Sequence, residues 1–188
     1  MSAPVLNAAN QLTLLRMALA PLLVVLVLGG EMVWALTALV VAGITDMLDG
    51  LIARRGHRQT TLGAMLDPMA DKLLLTSAYV VLTWSSKLLV AIPAWLTVIT
   101  LSRDAIIVVS VAIINLTIGR RIFYPTLLGK CSTVAQLLTV GLVLLLNVLE
   151  TRFPPVIHLF QLSLFLTVAS ALHYVYLAST KGGAPPAP

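Results

Sequence analysis

Four aspartates lie in two neighbouring apolar stretches, and their spacing suits two helix faces. Asp46 and Asp49 are three positions apart, and Asp67 and Asp71 are four positions apart. Residues at these spacings share one face of an α-helix, so each pair forms an acidic face. Because a short segment joins the two stretches, we expect an antiparallel helix pair whose acidic faces point into one cavity.

Carboxylates in apolar surroundings must be neutralised, either by protons or by cations. A set of oxygen ligands without His or Cys favours a hard cation, Mg²⁺ first, with Mn²⁺ or Ca²⁺ as alternatives. Four carboxylates can hold two such ions, and a pair of metal ions is a common device for phosphoryl transfer. Two-metal phosphoryl transfer is therefore one interpretation. A cation transporter using the same acids is a second, and packing against nearby Lys and Arg is a third.

Small residues and one arginine accompany the aspartates. Gly50 and Ala53 continue the first acidic face, and Gly63 continues the second. Their small side chains leave room for a bulky ligand close to the backbone. Arg54 follows one turn after Gly50, where its planar guanidinium can bind a phosphate group.

The composition places these residues in a membrane protein. Of the 188 residues, 59% are hydrophobic and 10% are charged, whereas soluble domains are about 25% charged. So little polar surface excludes a soluble globule and a disordered chain, and it argues against a nucleic-acid-binding protein. The single cysteine excludes an intrachain disulfide.

Six apolar stretches are long enough to cross a bilayer, which needs about 20 residues for each helix. They predict an all-α integral membrane protein with six transmembrane helices and a polar metal-binding cavity. Residues 1–181 are expected to form one domain, followed by a disordered Gly- and Pro-rich tail at 182–188. The stretches cover residues 11–29, 33–56, 61–84, 91–116, 127–149 and 155–178.

Basic residues alternate between the connecting segments. They concentrate after the second and fourth stretches, at Arg54, Arg55, Arg58, Arg120 and Arg121. The positive-inside rule then places both termini and the open end of the cavity on the cytoplasmic side. The expected location is the inner membrane of a bacterium.

The segment 46–71 resembles the D-x2-D-G-x2-A-R-x8-G-x3-D-x3-D motif of the CDP-alcohol phosphotransferases, and all eight fixed positions match. The resemblance implies a six-helix enzyme, often a homodimer, that uses a CDP-linked lipid, usually CDP-diacylglycerol. An alcohol hydroxyl attacks the lipid-side phosphorus and CMP leaves. A transporter is a minor alternative once this motif is recognised.

The resemblance also implies a role for each position of the motif. Asp46, Asp49 and Asp67 would bind Mg²⁺ or Mn²⁺, and two ions are expected. Asp71 would bind the second ion and is the candidate general base. The residues expected to line the CDP pocket are Gly50, Ala53, Arg54 and Gly63.

Two further segments bear on the acceptor alcohol. Asn10, Thr13 and Arg16 resemble the N-x-x-T-x-x-R lead-in of phosphatidylglycerophosphate synthases and their relatives, although a helix start capped by Asn10 explains them equally well. A G-K-x-x-T-x-x-Q segment of the same relatives is matched from position 129 to position 136. The expected ligands of a phosphate-bearing acceptor are Arg103, Lys130, Arg120 and Arg121.

Each of these cations has a simpler interpretation. Arg120 and Arg121 are explained by membrane topology alone, and Arg103 by an ion pair with an acidic residue of the cavity. Glycerol 3-phosphate is the leading acceptor from the sequence. Phosphatidylglycerol, the acceptor of a cardiolipin synthase, is the close alternative, because Ser102, Arg103 and Asp104 resemble that branch slightly more.

Overall fold

The structure is a computed structural model that describes residues 8–55, 61–117 and 126–181. Side chains are described at residues 11, 13–47, 69–110 and 126–176. Within these ranges the chain forms six α-helices and no strand, which confirms the all-α prediction. The helices are α1 Ala8–Gly29, α2 Met32–Arg55, α3 Thr61–Trp84, α4 Ala94–Thr117, α5 Leu127–Val148 and α6 Val156–Lys181. Their ends differ from the six predicted stretches by at most three residues.

Two helices of the described part are long and apolar enough to cross a membrane by length and composition. They are Leu127–Val148 and Val156–Tyr176, which correspond to α5 and most of α6. Thr13–Gly29 in α1 and Met32–Met47 in α2 are shorter apolar runs. The prediction of six membrane spans therefore stays a prediction.

The chain divides into two compact units. The first comprises Met1–Ala91 and Val140–Arg152, and the second comprises Ile92–Thr139 and Phe153–Pro188. In the first unit α1 packs against both α2 and α3, and in the second α4 packs against α6. Helix α5 contributes its final part to the first unit and its initial part to the second.

Small residues at the core of the first unit let its helices approach closely. Four alanines there have no exposed surface, namely Ala20, Ala35, Ala70 and Ala78. Small side chains at an interface let two helix backbones approach closely, which increases the van der Waals contact between the helices. The alanines lie on α1, α2 and α3, so they permit α1 to pack against both of its neighbours.

Helices α1 and α5 end in the same way, with a residue of positive φ after the last helical turn. Gly30 has φ 88° and Glu150 has φ 49°. At the first end the Glu31 N–H donates to the Leu26 carbonyl at 2.9 Å, and at the second the Thr151 N–H donates to the Leu146 carbonyl at 3.0 Å. This pattern is the Schellman motif, in which the left-handed position is usually glycine.

A lysine side chain completes the end of α1. Lys87 Nζ donates to the Gly29 carbonyl oxygen at 3.1 Å. A positive charge at a helix C-terminus is favourable because the carbonyl groups there carry partial negative charge. A Cβ atom at Gly30 would lie 3.2 Å from Lys87 Cδ. Glycine at this position therefore permits the positive φ angle and leaves room for the Lys87 side chain.

Replacing Glu150 with glycine is expected to stabilise the protein by about 1 kcal/mol, because the left-handed conformation raises the free energy of a non-glycine residue by about that amount. The measurement is the free energy of unfolding in mixed micelles of mild and denaturing detergent. Glu150→Ala is the matched control, since it removes the carboxylate without freeing the backbone. Equal stabilisation by alanine and glycine would show that the carboxylate, and not the φ angle, is responsible.

Candidate active site

Two of the four predicted metal ligands come together through an arginine of α1. Arg16 Nη1 donates to Asp71 Oδ1 on α3, and the same nitrogen lies 3.2 Å from Asp46 Oδ1 on α2. One atom thus contacts a carboxylate from each acidic helix. The structure thus brings Asp46 and Asp71 together through Arg16, while α2 and α3 each pack against α1. The shared cavity between the two acidic faces stays a prediction.

The three side chains differ in exposure. Arg16 is 1% exposed, whereas the Asp46 and Asp71 side chains are 57% and 43% exposed. The guanidinium therefore reaches the carboxylates from the protein core, while both aspartate side chains keep about half of their surface exposed. A buried guanidinium requires compensating charge because desolvation of an unpaired ion is costly.

The donor set around Arg16 Nη1 fits a hard divalent cation. Asp46 and Asp71 would supply carboxylate oxygens, the ligands that a hard divalent cation prefers. The described residues contain no group of three or more His, Cys, Asp or Glu side chains that could hold a metal ion, so further ligands would have to come from outside the described side chains. Asp49 and Asp67 belong to α2 and α3 as well, one turn from Asp46 and Asp71. Their side chains lie outside the described residues, and so their predicted role as ligands stays a prediction.

Arg16 contacts two of the predicted site residues, although the sequence pattern gave it no role in the site. The available signals were its position as a lone base in an apolar run and its match to the N-x-x-T-x-x-R lead-in. Thr13, one turn before it, is completely buried. Helix α1 therefore directs the polar side chains of Thr13 and Arg16 into the protein interior.

A second buried arginine lies in the other unit. Arg103 on α4 is 8% exposed. Its Nη1 donates to Asp104 Oδ1 at 2.7 Å, and its Nη2 donates to the Ser170 hydroxyl on α6 at 2.6 Å. The neighbouring carboxylate balances its charge. The ion-pair interpretation of Arg103 is thus observed, with Asp104 as the partner.

The guanidinium of Arg103 lies against the start of α5. A Cβ atom at Gly129 would be 3.5 Å from Arg103 Nη2 and 3.2 Å from Thr126 Oγ1. Thr126 Oγ1 accepts a hydrogen bond from the Gly129 N–H at 3.1 Å and so caps the helix. A helix N-terminus and a guanidinium side by side favour an anion. Lys130, the next residue, is exposed.

The remaining positions of the G-K-x-x-T-x-x-Q segment have structural contacts. Gln136 Nε2 donates to the Ser132 hydroxyl at 3.3 Å and to the Thr167 hydroxyl at 3.4 Å. Thr133 Oγ1 donates to the Gly129 carbonyl at 3.1 Å. The side chains of Ser132, Gln136 and Thr167 are buried, and their hydrogen bonds join α5 to α6. This structural role explains the glutamine at position 136, and no ligand is needed to account for it.

Several predicted site residues have side chains outside the described part. The four positions expected to line the CDP pocket belong to this group, and so do two of the expected acceptor ligands. Their roles stay predictions. They are Gly50, Ala53, Arg54, Gly63, Arg120 and Arg121.

The sequence model of the CDP-alcohol phosphatidyltransferase family matches residues 6–177 of the chain. The chain belongs to this family of enzymes. It is similar to a cardiolipin synthase (CMP-forming) of Streptomyces coelicolor, with 40% identity over 69% of the chain and 60% of the relative. It is also 30% identical to the CDP-diacylglycerol–glycerol-3-phosphate 3-phosphatidyltransferase of Bacillus subtilis, over 89% of the chain and 93% of that protein.

The names of the relatives differ in the reaction product or acceptor that they give: some are cardiolipin synthases, and others are phosphatidylglycerophosphate synthases or glycerol-3-phosphate phosphatidyltransferases. A probable phosphatidylglycerophosphate synthase of Mycobacterium tuberculosis is 38% identical over 76% of the chain and 68% of that protein. The chain spans about three fifths of the length of the Streptomyces coelicolor relative and of a Drosophila melanogaster probable cardiolipin synthase. Resemblance alone therefore assigns the family and leaves the acceptor open.

Proposed function

We propose that this protein transfers a phosphatidyl group from CDP-diacylglycerol to an alcohol and releases CMP. The hydroxyl oxygen of the acceptor forms a bond to the lipid-side phosphorus. The bond from that phosphorus to the bridging pyrophosphate oxygen breaks, and CMP leaves with the electron pair. The observation that carries the proposal is the convergence of Asp46 and Asp71 on one point, within a motif whose eight positions all match.

The carboxylates of the motif would hold two Mg²⁺ ions, with Mn²⁺ as an alternative. When bound, such ions stabilise charge on the attacking and leaving oxygens of a displacement. Asp46, Asp49 and Asp67 serve as ligands, and Asp71 serves as a ligand and receives the hydroxyl proton. The partial exposure of the Asp46 and Asp71 side chains supports this assignment.

The nucleotide lipid would lie along the neighbouring positions of the motif. Gly50, Ala53 and Gly63 let the cytidine and pyrophosphate approach the helix backbones. Arg54 binds a phosphate oxygen through its guanidinium. The spacing of these residues along α2 and α3, on the same faces as the aspartates, supports the arrangement.

All six helices would cross the membrane, with both termini in the cytoplasm of a bacterial cell. Each helix has 22 to 26 residues, which is about 33–39 Å and exceeds the hydrocarbon core of about 30 Å. Large apolar side chains are exposed on every helix, where lipid would cover them. Examples are Leu22, Val40, Val80, Val108, Leu138 and Phe165.

The acceptor that we propose is phosphatidylglycerol, so the product would be cardiolipin. Ser102, Arg103 and Asp104 resemble the cardiolipin synthases. The relatives of Streptomyces coelicolor and Drosophila melanogaster, which are named cardiolipin synthase (CMP-forming) and probable cardiolipin synthase (CMP-forming), also support this choice. Glycerol 3-phosphate, which carries about two negative charges at neutral pH, is the second candidate, supported by the Bacillus subtilis relative.

Offering several acceptors to the purified protein tests this choice. The protein in proteoliposomes with Mg²⁺ and labelled CDP-diacylglycerol receives phosphatidylglycerol, glycerol 3-phosphate, serine or inositol phosphate in separate reactions. We expect cardiolipin from phosphatidylglycerol and little product from the others. A product from glycerol 3-phosphate alone would contradict the acceptor assignment, and absence of CMP release in every reaction would contradict the enzyme.

Asp71→Asn is expected to lower the rate of CMP release at least about 100-fold, because the amide neither binds a divalent cation strongly nor accepts a proton. The rate is measured with phosphatidylglycerol and Mg²⁺ in proteoliposomes of matched protein content. Glu150→Gln is the control, since it removes an acidic charge outside the motif and should leave the rate unchanged. An Asp71→Asn protein that is folded and as fast as the wild type would remove Asp71 from the site.

A further inference from the structure

The contacts of Arg16 place a positive charge inside the predicted metal site. Its Nη1 atom contacts Oδ1 of Asp46 and Oδ1 of Asp71. Any cation that binds these two carboxylates lies within a few Å of the guanidinium, whichever oxygen atoms it takes. Charges at such distances interact strongly, because a partly buried site screens them much less than bulk water does.

We infer that Arg16 is a positioning residue that weakens divalent-cation binding at Asp46 and Asp71 and makes that binding depend on the substrate pyrophosphate. The inference rests on the proposed function. A guanidinium beside two carboxylates halves their net negative charge and repels an incoming cation. An anionic ligand reverses this effect, because the excess positive charge of cations and guanidinium attracts it.

The charge balance explains why the substrate matters. Four aspartates and two divalent ions together are neutral, so Arg16 and the phosphate-binding Arg54 leave the complete site with two surplus positive charges. The two negative charges of the pyrophosphate in a CDP-linked lipid would compensate this surplus. Cation and nucleotide therefore bind cooperatively, and each raises the affinity of the other by the same factor.

The burial of the three side chains supports a role beyond packing. Arg16 is 1% exposed and approaches from the core, whereas Asp46 and Asp71 are about half exposed. The carboxylates can thus receive a ligand on their exposed surface while the guanidinium remains in place. The arginine then modulates the charge of the site without closing it.

Mn²⁺ binding to the purified protein in lipid nanodiscs tests the inference, because it needs no turnover. The free Mn²⁺ is measured by electron paramagnetic resonance with and without CDP. For Arg16→Gln we expect Mn²⁺ alone to bind at least about ten-fold more tightly than in the wild type. We expect CDP to tighten Mn²⁺ binding in the wild type and to do so much less in the variant.

Two further variants separate charge from packing. Arg16→Lys keeps the positive charge and should bind Mn²⁺ within about three-fold of the wild type. Lys87→Gln removes one positive charge at the end of α1, about 20 Å along the helix from Arg16, and should leave Mn²⁺ affinity unchanged. If Arg16→Gln is not recovered as a folded protein, Arg16→Met, which keeps an unbranched side chain of methylenes, takes its place.

Unchanged or weaker Mn²⁺ binding in a folded Arg16→Gln or Arg16→Met protein would overturn the inference, and so would tightening by Arg16→Lys to the same extent. An effect of CDP on Mn²⁺ affinity that is equal in wild type and variant would overturn the dependence on pyrophosphate. Failure of the proposed function is a different result, namely no CMP release from CDP-diacylglycerol with any acceptor.

Discussion

The ion pairs of one buried arginine organise the first unit of this protein. Arg16 has almost no exposure, and an unpaired guanidinium in that position would cost several kcal/mol. It is compensated by Asp46 on α2 and Asp71 on α3. The packing of α1 against both helices and the pairing of its arginine with both acids are therefore mutually dependent. Small buried residues, such as Ala20 and Ala78, contribute to this packing by letting the helices approach closely.

Each unit contains a buried arginine that pairs with carboxylates. Among the described residues Arg16 contacts Asp46 and Asp71. In the same part of the chain Arg103 contacts Asp104, and its guanidinium lies beside the start of α5, where the helix adds partial positive charge. Under the proposed function the first cluster binds cations and the second binds an anionic acceptor.

Much of the fold was predictable from the sequence because hydrophobic length and helix spacing are local properties. The bounds of all six helices follow from the apolar stretches, and the pairing of acids on α2 and α3 follows from their i, i+3 and i, i+4 spacing. Partners on other helices were not predictable. Nothing local indicates that Arg16 contacts Asp46 and Asp71, or that Gln136 bonds to Thr167. The positive φ angle of Glu150 was also not predictable, because the left-handed position of a Schellman motif is usually glycine.

The central claim is that the aspartates of α2 and α3 hold divalent cations. Its most direct test is a crystal structure of the protein in lipid with Mn²⁺ and a CDP-linked lipid, analysed by anomalous scattering of manganese. We predict two manganese peaks, with oxygen atoms of Asp46, Asp49, Asp67 and Asp71 at about 2.0–2.6 Å from them. Manganese peaks elsewhere in the protein, with these four carboxylates free of metal, would contradict it.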